Sequence, residues 1–364
     1  MPDSNDGRRV IDAAAAIREA LDLVLARKPN AYVIGEGVCD PKAIFGTTAG
    51  LLDKYGPSRV VEMPVAENGL TGIAIGSALL GQRPIMIHQR VDFALLALEQ
   101  LFNNAAKTHY VSNGKHSVPL VVRMIVGRGW GQGPAHSQSL ESIFAHVPGL
   151  KVVMPSIPAD CKGLLLGAVE DGNPVMFIEH RWIHYVKGAV AEGWTPIALD
   201  GPRHAARGNA ATIVATSLMS IEAALAVEEL ARVGVECDVF DLRVLRPLNV
   251  APIIESVRRT SRLVVVDTGW RTLGMGAEIV ARIVESAFSS LVRAPVRLGL
   301  PDHPTPSSRA FTAGFYPTAE TIAKSIAELV EIGAERVAPA LERLRAAKSK
   351  ISPDQPDPAF AGPF

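Results

Sequence analysis

The stretch Val60-Val61-Glu62-Met63-Pro64-Val65-Ala66-Glu67-Asn68-Gly69-Leu70-Thr71-Gly72-Ile73-Ala74-Ile75-Gly76 changes character near Pro64. Before it lies a β-branched, strand-like run. After it comes a glycine-punctuated series of small and apolar residues at helical spacing. A strand that hands over to a helix is the repeating unit of a parallel sheet. Glu67 falls at the handover, where the helix dipole favours an acid. The same place is largely out of water, and a buried carboxyl resists ionising and can share a proton with a bound nitrogen heterocycle. The segment alone allows both readings.

Outward from there the alternation repeats. Apolar residues at helical spacing over residues 9–28 (Val10, Ile17, Leu21, Val24) stop at Pro29-Asn30, and Ala31-Tyr32-Val33-Ile34-Gly35 reads as a short buried strand. Further strands are expected at 60–61, 84–87, 120–124 and 151–154, with helices over 70–80, 93–107 and 161–170. From Trp182 to Gly208 the periodicity fades and Gly, Pro and His accumulate. It restarts at 211–216 and continues through helix 221–233, strand 237–240, helix 250–258, strand 262–266 and helix 276–286. The expectation is an α/β protein of two doubly wound, mostly parallel-sheet domains, residues 1–190 and 209–335, joined by a linker at 191–208. Residues 336–364 are expected to form a charged helix at 341–350 and a Pro-rich tail.

Composition narrows the setting. At 364 residues the chain is too long for one ordinary core. Its 37 basic and 37 acidic residues cancel, so nothing suggests nucleic acid or an anionic membrane. A hydrophobic fraction of 48% with 20% charged residues points to surfaces buried against other chains. The N-terminus, Met1-Pro2-Asp3-Ser4-Asn5-Asp6, is unlike a signal peptide, and no apolar run is long enough to span a bilayer. Cys39, Cys161 and Cys237 are far apart without metal-ligand spacing and read as thiols of a reducing cytoplasm.

Four more segments carry information: Gly133-Pro134-Ala135-His136-Ser137-Gln138-Ser139-Leu140-Glu141, Pro148-Gly149-Leu150-Lys151-Val152-Val153-Met154-Pro155-Ser156, Asp171-Gly172-Asn173-Pro174-Val175 and Asp241-Leu242-Arg243-Val244-Leu245-Arg246-Pro247-Leu248. With residues 60–76, and in this order, they resemble the β subunits of the E1 component of 2-oxo acid dehydrogenase complexes (pyruvate, acetoin and branched-chain types), within the transketolase-like thiamine diphosphate enzymes. The resemblance covers residues 10–335, nearly the whole chain. It implies a transketolase-like pyrimidine-binding domain followed by a transketolase C-terminal domain, thiamine diphosphate as cofactor and a small-molecule 2-oxo acid as substrate.

In this family a glutamate bonded to N1′ switches the cofactor's aminopyrimidine to the tautomer that deprotonates C2, and by resemblance Glu67 is that residue. Glu36, in Gly35-Glu36-Gly37-Val38, stands where the family has a further acid; it either supports Glu67 or caps a helix. Phe93 falls where the family stacks an aromatic ring on the aminopyrimidine, or else is a core Phe opening an amphipathic helix. Gln89 belongs to the same cofactor-facing segment. His136, in the family's His-Ser-x-Ser setting, follows a Gly-rich loop that reads as too flexible and polar for core. It is the expected catalytic histidine, able to move a proton near neutrality, although a lone His is more often a surface or capping residue. His146, on the helical run 140–147, reads as structural. Ala168, Asp171 and Asn173 mark the place where the family holds a structural monovalent cation, usually potassium, through oxygen ligands. Turn chemistry explains Asp171 and Asn173 equally well.

Nowhere is there a Gly-Asp-Gly followed at the family spacing by Asn-Asn, the segment that holds Mg²⁺ and the diphosphate, nor a dinucleotide fingerprint or Walker-type loop. The resemblance therefore implies that this chain supplies the pyrimidine half of a site and an α subunit the phosphate half, as an α2β2 heterotetramer. Two segments depart from the family: Ile87-His88-Gln89-Arg90-Val91-Asp92, and Val266-Asp267-Thr268-Gly269-Trp270-Arg271. An inward-facing Arg90 or His88 would favour an anionic or more polar substrate; an outward-facing Arg90 is a surface charge or an intersubunit ion pair. Two activities stay open, an E1 β subunit whose acyl group passes to a lipoyl acyltransferase, and a two-chain transketolase-like carboligase serving an aldehyde or sugar. A nicotinamide oxidoreductase lacks its fingerprint, and a non-catalytic scaffold does not explain Glu67, Phe93 and His136 together.

Overall fold

A computed structural model describes residues 9–40, 42–128 and 132–348. In chain order the strands are β1 (Arg9–Asp12), β2 (Ala31–Gly35), β3 (Val60–Glu62), β4 (Arg83–His88), β5 (Val121–Val126), β6 (Lys151–Val153), β7 (Val175–His180), β8 (Lys187–Val190), β9 (Arg203–Ala206), β10 (Thr212–Ala215), β11 (Asp238–Asp241), β12 (Val244–Arg246), β13 (Leu263–Trp270) and β14 (Val296–Leu300). The first sheet runs β3-β2-β4-β5-β7-β6-β12 and the second β14-β13-β10-β11-β9. Pairing is parallel except at β12 and β9, each an antiparallel edge. The fold is thus the expected two-domain, mostly parallel α/β architecture.

Both faces of the first sheet are covered, which is why β5 and β7 are buried at every position. Successive side chains point to opposite faces. Ile85, Ile87 and Phe177 pack with Leu21, Val24 and Leu165 of helices Ala13–Arg27 and Pro158–Glu170. Met86, Met176 and Ile178 pack instead with Ala74, Ile75 and Ala78 of helix Glu67–Leu79. One charged pair lies inside this apolar stack. Arg123 on β5 donates Nε and Nη2 to the two Glu179 oxygens on β7 at 2.6 and 2.9 Å, and His184 Nε2 lies 2.7 Å from the same carboxylate. Burial alone would raise the Glu179 carboxyl, but Arg123 and His184 overcome it and hold it at about 2.

Several expectations need correction. The helix expected over 9–28 begins only at Ala13: residues Arg9–Asp12 pair as a strand with Lys187–Val190, and the Asp12 carboxylate caps the helix by accepting from the Ala15 N–H at 2.7 Å. The helix expected over 93–107 is broken into a short helix Val91–Ala94, a 3-10 turn, a π-helical stretch Gln100–Ala105 and helix Ala106–Val111. The segment read as a linker, 191–208, carries β9, whose four residues are too few for alternation to show. Strands β7 and β14 and helix Ala319–Leu329 add to the expected elements. The charged C-terminal helix begins earlier, as Ala334–Lys348, and the Pro-rich tail lies outside the described residues.

Candidate active site

Strands β2 and β3 are parallel neighbours, so the residues that follow them emerge at the same edge of the sheet. The Glu62 carboxylate at the end of β3 accepts from the Gly37 N–H at 2.6 Å and the Cys39 N–H at 2.9 Å, which fixes the loop after β2 against β3. Glu36 on that loop is thereby brought to Glu67, the first residue of its helix and 4% exposed. Burial, the Glu67 charge and a hydrogen bond between the two carboxyls raise Glu36 to about 6. Its Oε1 is buried without a partner. A carboxyl raised toward neutrality beside a second one at a helix N-terminus can exchange a proton with a ring nitrogen placed next to them.

Gln89, just beyond β4, donates Nε2 to the Glu36 carbonyl at 3.3 Å. It covers Gly37, whose φ of +72° favours glycine; a Cβ there would push the Gln89 amide aside. Phe93, on the next short helix, meets the exposed His136 ring edge-to-face at 5.4 Å. The His136 loop is tied down beside it: Gln138 Nε2 donates to Asp92 Oδ1 at 2.7 Å, and Arg90 Nη1 donates to the His136 carbonyl at 3.2 Å. The structure therefore gathers Glu36, Glu67, Gln89, Phe93 and His136 at the carboxyl ends of the parallel strands.

Asp171 and Asn173 lie elsewhere, in the turn that enters the amino end of β7. There the Asp171 carboxylate is engaged by the Lys151 ammonium and by the Asn173 amide and backbone N–H, which together lower its pKa against burial. Arg83 Nη1 donates to the carbonyls of Val169 and Asp171 at 2.7 and 3.4 Å, so the carbonyls beside Ala168 already face a guanidinium. Among the described residues no three His, Cys, Asp or Glu side chains converge to hold a metal.

His88 and Arg90 both turn inward. His88 is 1% exposed, its Nε2 is 3.3 Å from Thr71 Oγ1, its Nδ1 has no partner, and burial pushes it down to about 4, so it is neutral. Arg128 corrects the expectation of a flexible polar loop: it is buried, with its guanidinium 4.0 Å from the Trp182 ring centroid and 4.1 Å from that of Tyr316. Residues 129–131 of the same loop lie outside the described residues. At the loop's far end Glu141 is fully buried and accepts from Thr268 Oγ1 at 3.0 Å. Burial and the neighbouring Asp267 raise it to about 8. The His136 loop is thus anchored at both ends to the second domain. The sequence carries no signal for either anchor.

This two-domain fold with a carboxyl pair at the strand ends defines a class. Residues 9–183 match the transketolase pyrimidine-binding domain and residues 202–322 the transketolase C-terminal domain. A split-gene transketolase, solved as an inactive β4 tetramer, superposes with a TM-score of 0.70 at 21% identity, over 88% of this chain and 99% of that one. The pyruvate dehydrogenase E1 component subunit beta of Rickettsia felis is 38% identical over 288 residues, 79% of this chain and 88% of that protein. The beta subunit of acetoin:2,6-dichlorophenolindophenol oxidoreductase from Cupriavidus necator is 36% identical over 336 residues, 89% and 99% of the two chains. The chain belongs to the E1 β-subunit family of transketolase-like proteins.

Proposed function

We propose that this chain is the β subunit of a thiamine diphosphate-dependent 2-oxo acid dehydrogenase. The observation that carries the reading is the Glu36–Glu67 pair, in which a helix-terminal carboxyl 4% exposed interacts with a second carboxyl whose Oε1 has no partner. That is a donor set suited to the aminopyrimidine of the cofactor, which when bound supplies the electron sink for decarboxylation. Glu67 holds and returns a proton at the ring nitrogen, Glu36 keeps that proton within the pair, and Gln89 fixes the Glu36 backbone. Phe93 forms a flat wall and His136 moves a proton at the open side.

An α subunit is proposed to supply the Mg²⁺ and diphosphate ligands, in an α2β2 assembly, with a lipoyl acyltransferase as acceptor. Support comes from apolar side chains left in solvent around the site-bearing helices: Val65 at 82%, Ile73 at 60%, Leu80 at 85% and Leu96 at 62%. A reducing compartment such as the cytoplasm fits the free thiols of Cys39, Cys161 and Cys237, and among the described residues no helix is long and apolar enough to cross a membrane. The test is calorimetric titration of thiamine diphosphate with Mg²⁺ into this chain alone and with an α partner. Weak binding alone and tight binding in the complex are expected; tight Mg²⁺-dependent binding by the isolated chain would refute the split site.

A further inference from the structure

We propose that Arg90 selects the substrate, and that the substrate is a 2-oxo acid with a second carboxylate at its far end. The inference rests on the reading of the site as a 2-oxo acid centre and names its substrate class. Arg90 is only 6% exposed. Its Nη1 donates to the His136 carbonyl at 3.2 Å, and among the described residues neither Nε nor Nη2 has an acceptor. The neighbouring anion, Asp92, has its Oδ1 engaged by Gln138 at 2.7 Å. A largely buried guanidinium with an open edge is a binding site for a carboxylate, which that edge can take in two parallel hydrogen bonds. Ser137, the next residue along the loop, is also buried with its hydroxyl unpartnered.

The position supports the role. Gln89 on one side of Arg90 touches the Glu36 backbone, and Phe93 on the other side meets His136, to whose carbonyl Arg90 is tied. An acid docked beside the Phe93–His136 contact therefore lies next to the backbone to which the fork is tied. The carboxylate that departs as carbon dioxide must shed its charge, and a fixed cation paired with it would stabilise the ground state more than the transition state. A buried Arg is better matched to a carboxylate that keeps its charge throughout, the one at the other end of the molecule.

The experiment uses the assembled, cofactor-loaded complex with an α partner. It compares 2-oxoglutarate with 2-oxopentanoate and 2-oxoadipate with 2-oxohexanoate, pairs that exchange a terminal carboxylate for a methyl group. We expect kcat/KM to favour each diacid by at least tenfold, and Arg90→Leu and Arg90→Gln to abolish that preference through KM. Arg90→Lys should retain part of it. Calorimetry with glutarate and pentanoate provides a readout without turnover, with glutarate the tighter ligand in the wild type only. A wild type that prefers the monoacids, or a preference and glutarate affinity unchanged in the folded variants, overturns the role of Arg90. If none of the four acids is consumed while glutarate binding still depends on Arg90, the 2-oxo acid reading fails and the anion site stands.

Discussion

The His136 imidazole meets the Phe93 ring edge-to-face, with centroids 5.4 Å apart and planes at 87°. The contact places an exposed histidine, carried on a long loop, against the ring proposed to line the cofactor half-site. Because His136 keeps its solvent access, it can exchange protons with a substrate that arrives from the open side.

We predict that His136→Ala in the assembled enzyme lowers turnover by about 10²–10⁴-fold, the usual cost of losing a positioned acid–base group. Cofactor affinity should change less than threefold. Steady-state rates together with calorimetric cofactor binding check this, and a parallel loss of both would make His136 a structural residue.

For Glu67→Gln the fold should survive, since the amide replaces the acid without a change of volume. Cofactor C2 hydrogen exchange, followed by quenched-flow NMR in the complex, should slow by about 10²–10⁴-fold or more. Exchange within tenfold of wild type would remove Glu67 from its proposed role.

Glu141 gives a pH signature. Burial and Asp267 raise its carboxyl from the ordinary 4.5 to about 8, so the folded chain keeps a proton that the unfolded chain has lost. Its stability is fully present below about 4.5 and is lost as pH rises through about 8. Glu141→Gln should therefore flatten the melting temperature between pH 5 and 9 and leave the variant the more stable at the upper end. Thermal melts across that range decide it, and an unchanged slope would contradict the buried proton on Glu141.

Arg123 and Glu179 are fully buried and bonded through two oxygens. Removing one partner strands the other, so Arg123→Met should destabilise by about 3–5 kcal/mol. The double variant Arg123→Met, Glu179→Leu should recover much of that loss. Denaturant unfolding of the wild type, single and double variants completes the cycle.

What is legible in the sequence follows from local chemistry. Strands β5 and β10 are short β-branched runs bounded by breakers, and helix Glu67–Leu79 is a periodic apolar series, so residue order alone reveals them. Glu36 and Glu67 can each be placed beyond a strand end, but their contact depends on β2 and β3 being neighbours, and sheet order is set by tertiary packing. Arg128 reads as solvated because of its residue type and its glycine neighbours. The rings of Trp182 and Tyr316 that cover it come from distant parts of the chain. Glu141 is hidden for the same reason, its partner Asp267 lying in the other domain. The edge strands β9 and β12 are too short to show a period and exist because β11 and β6 offer them an open edge.

Strand β12 belongs by sequence to the second half of the chain yet completes the first sheet by pairing with β6. During synthesis the pyrimidine-binding half therefore leaves the ribosome with β6 unpaired on one side, and that edge is capped only once Val244–Arg246 has followed. Cutting the chain at the segment between its halves would leave the same edge bare for good. The two halves are sequential in the gene but not in the sheets, so the first half is not a cassette that can be moved into another protein without carrying a strand of the second.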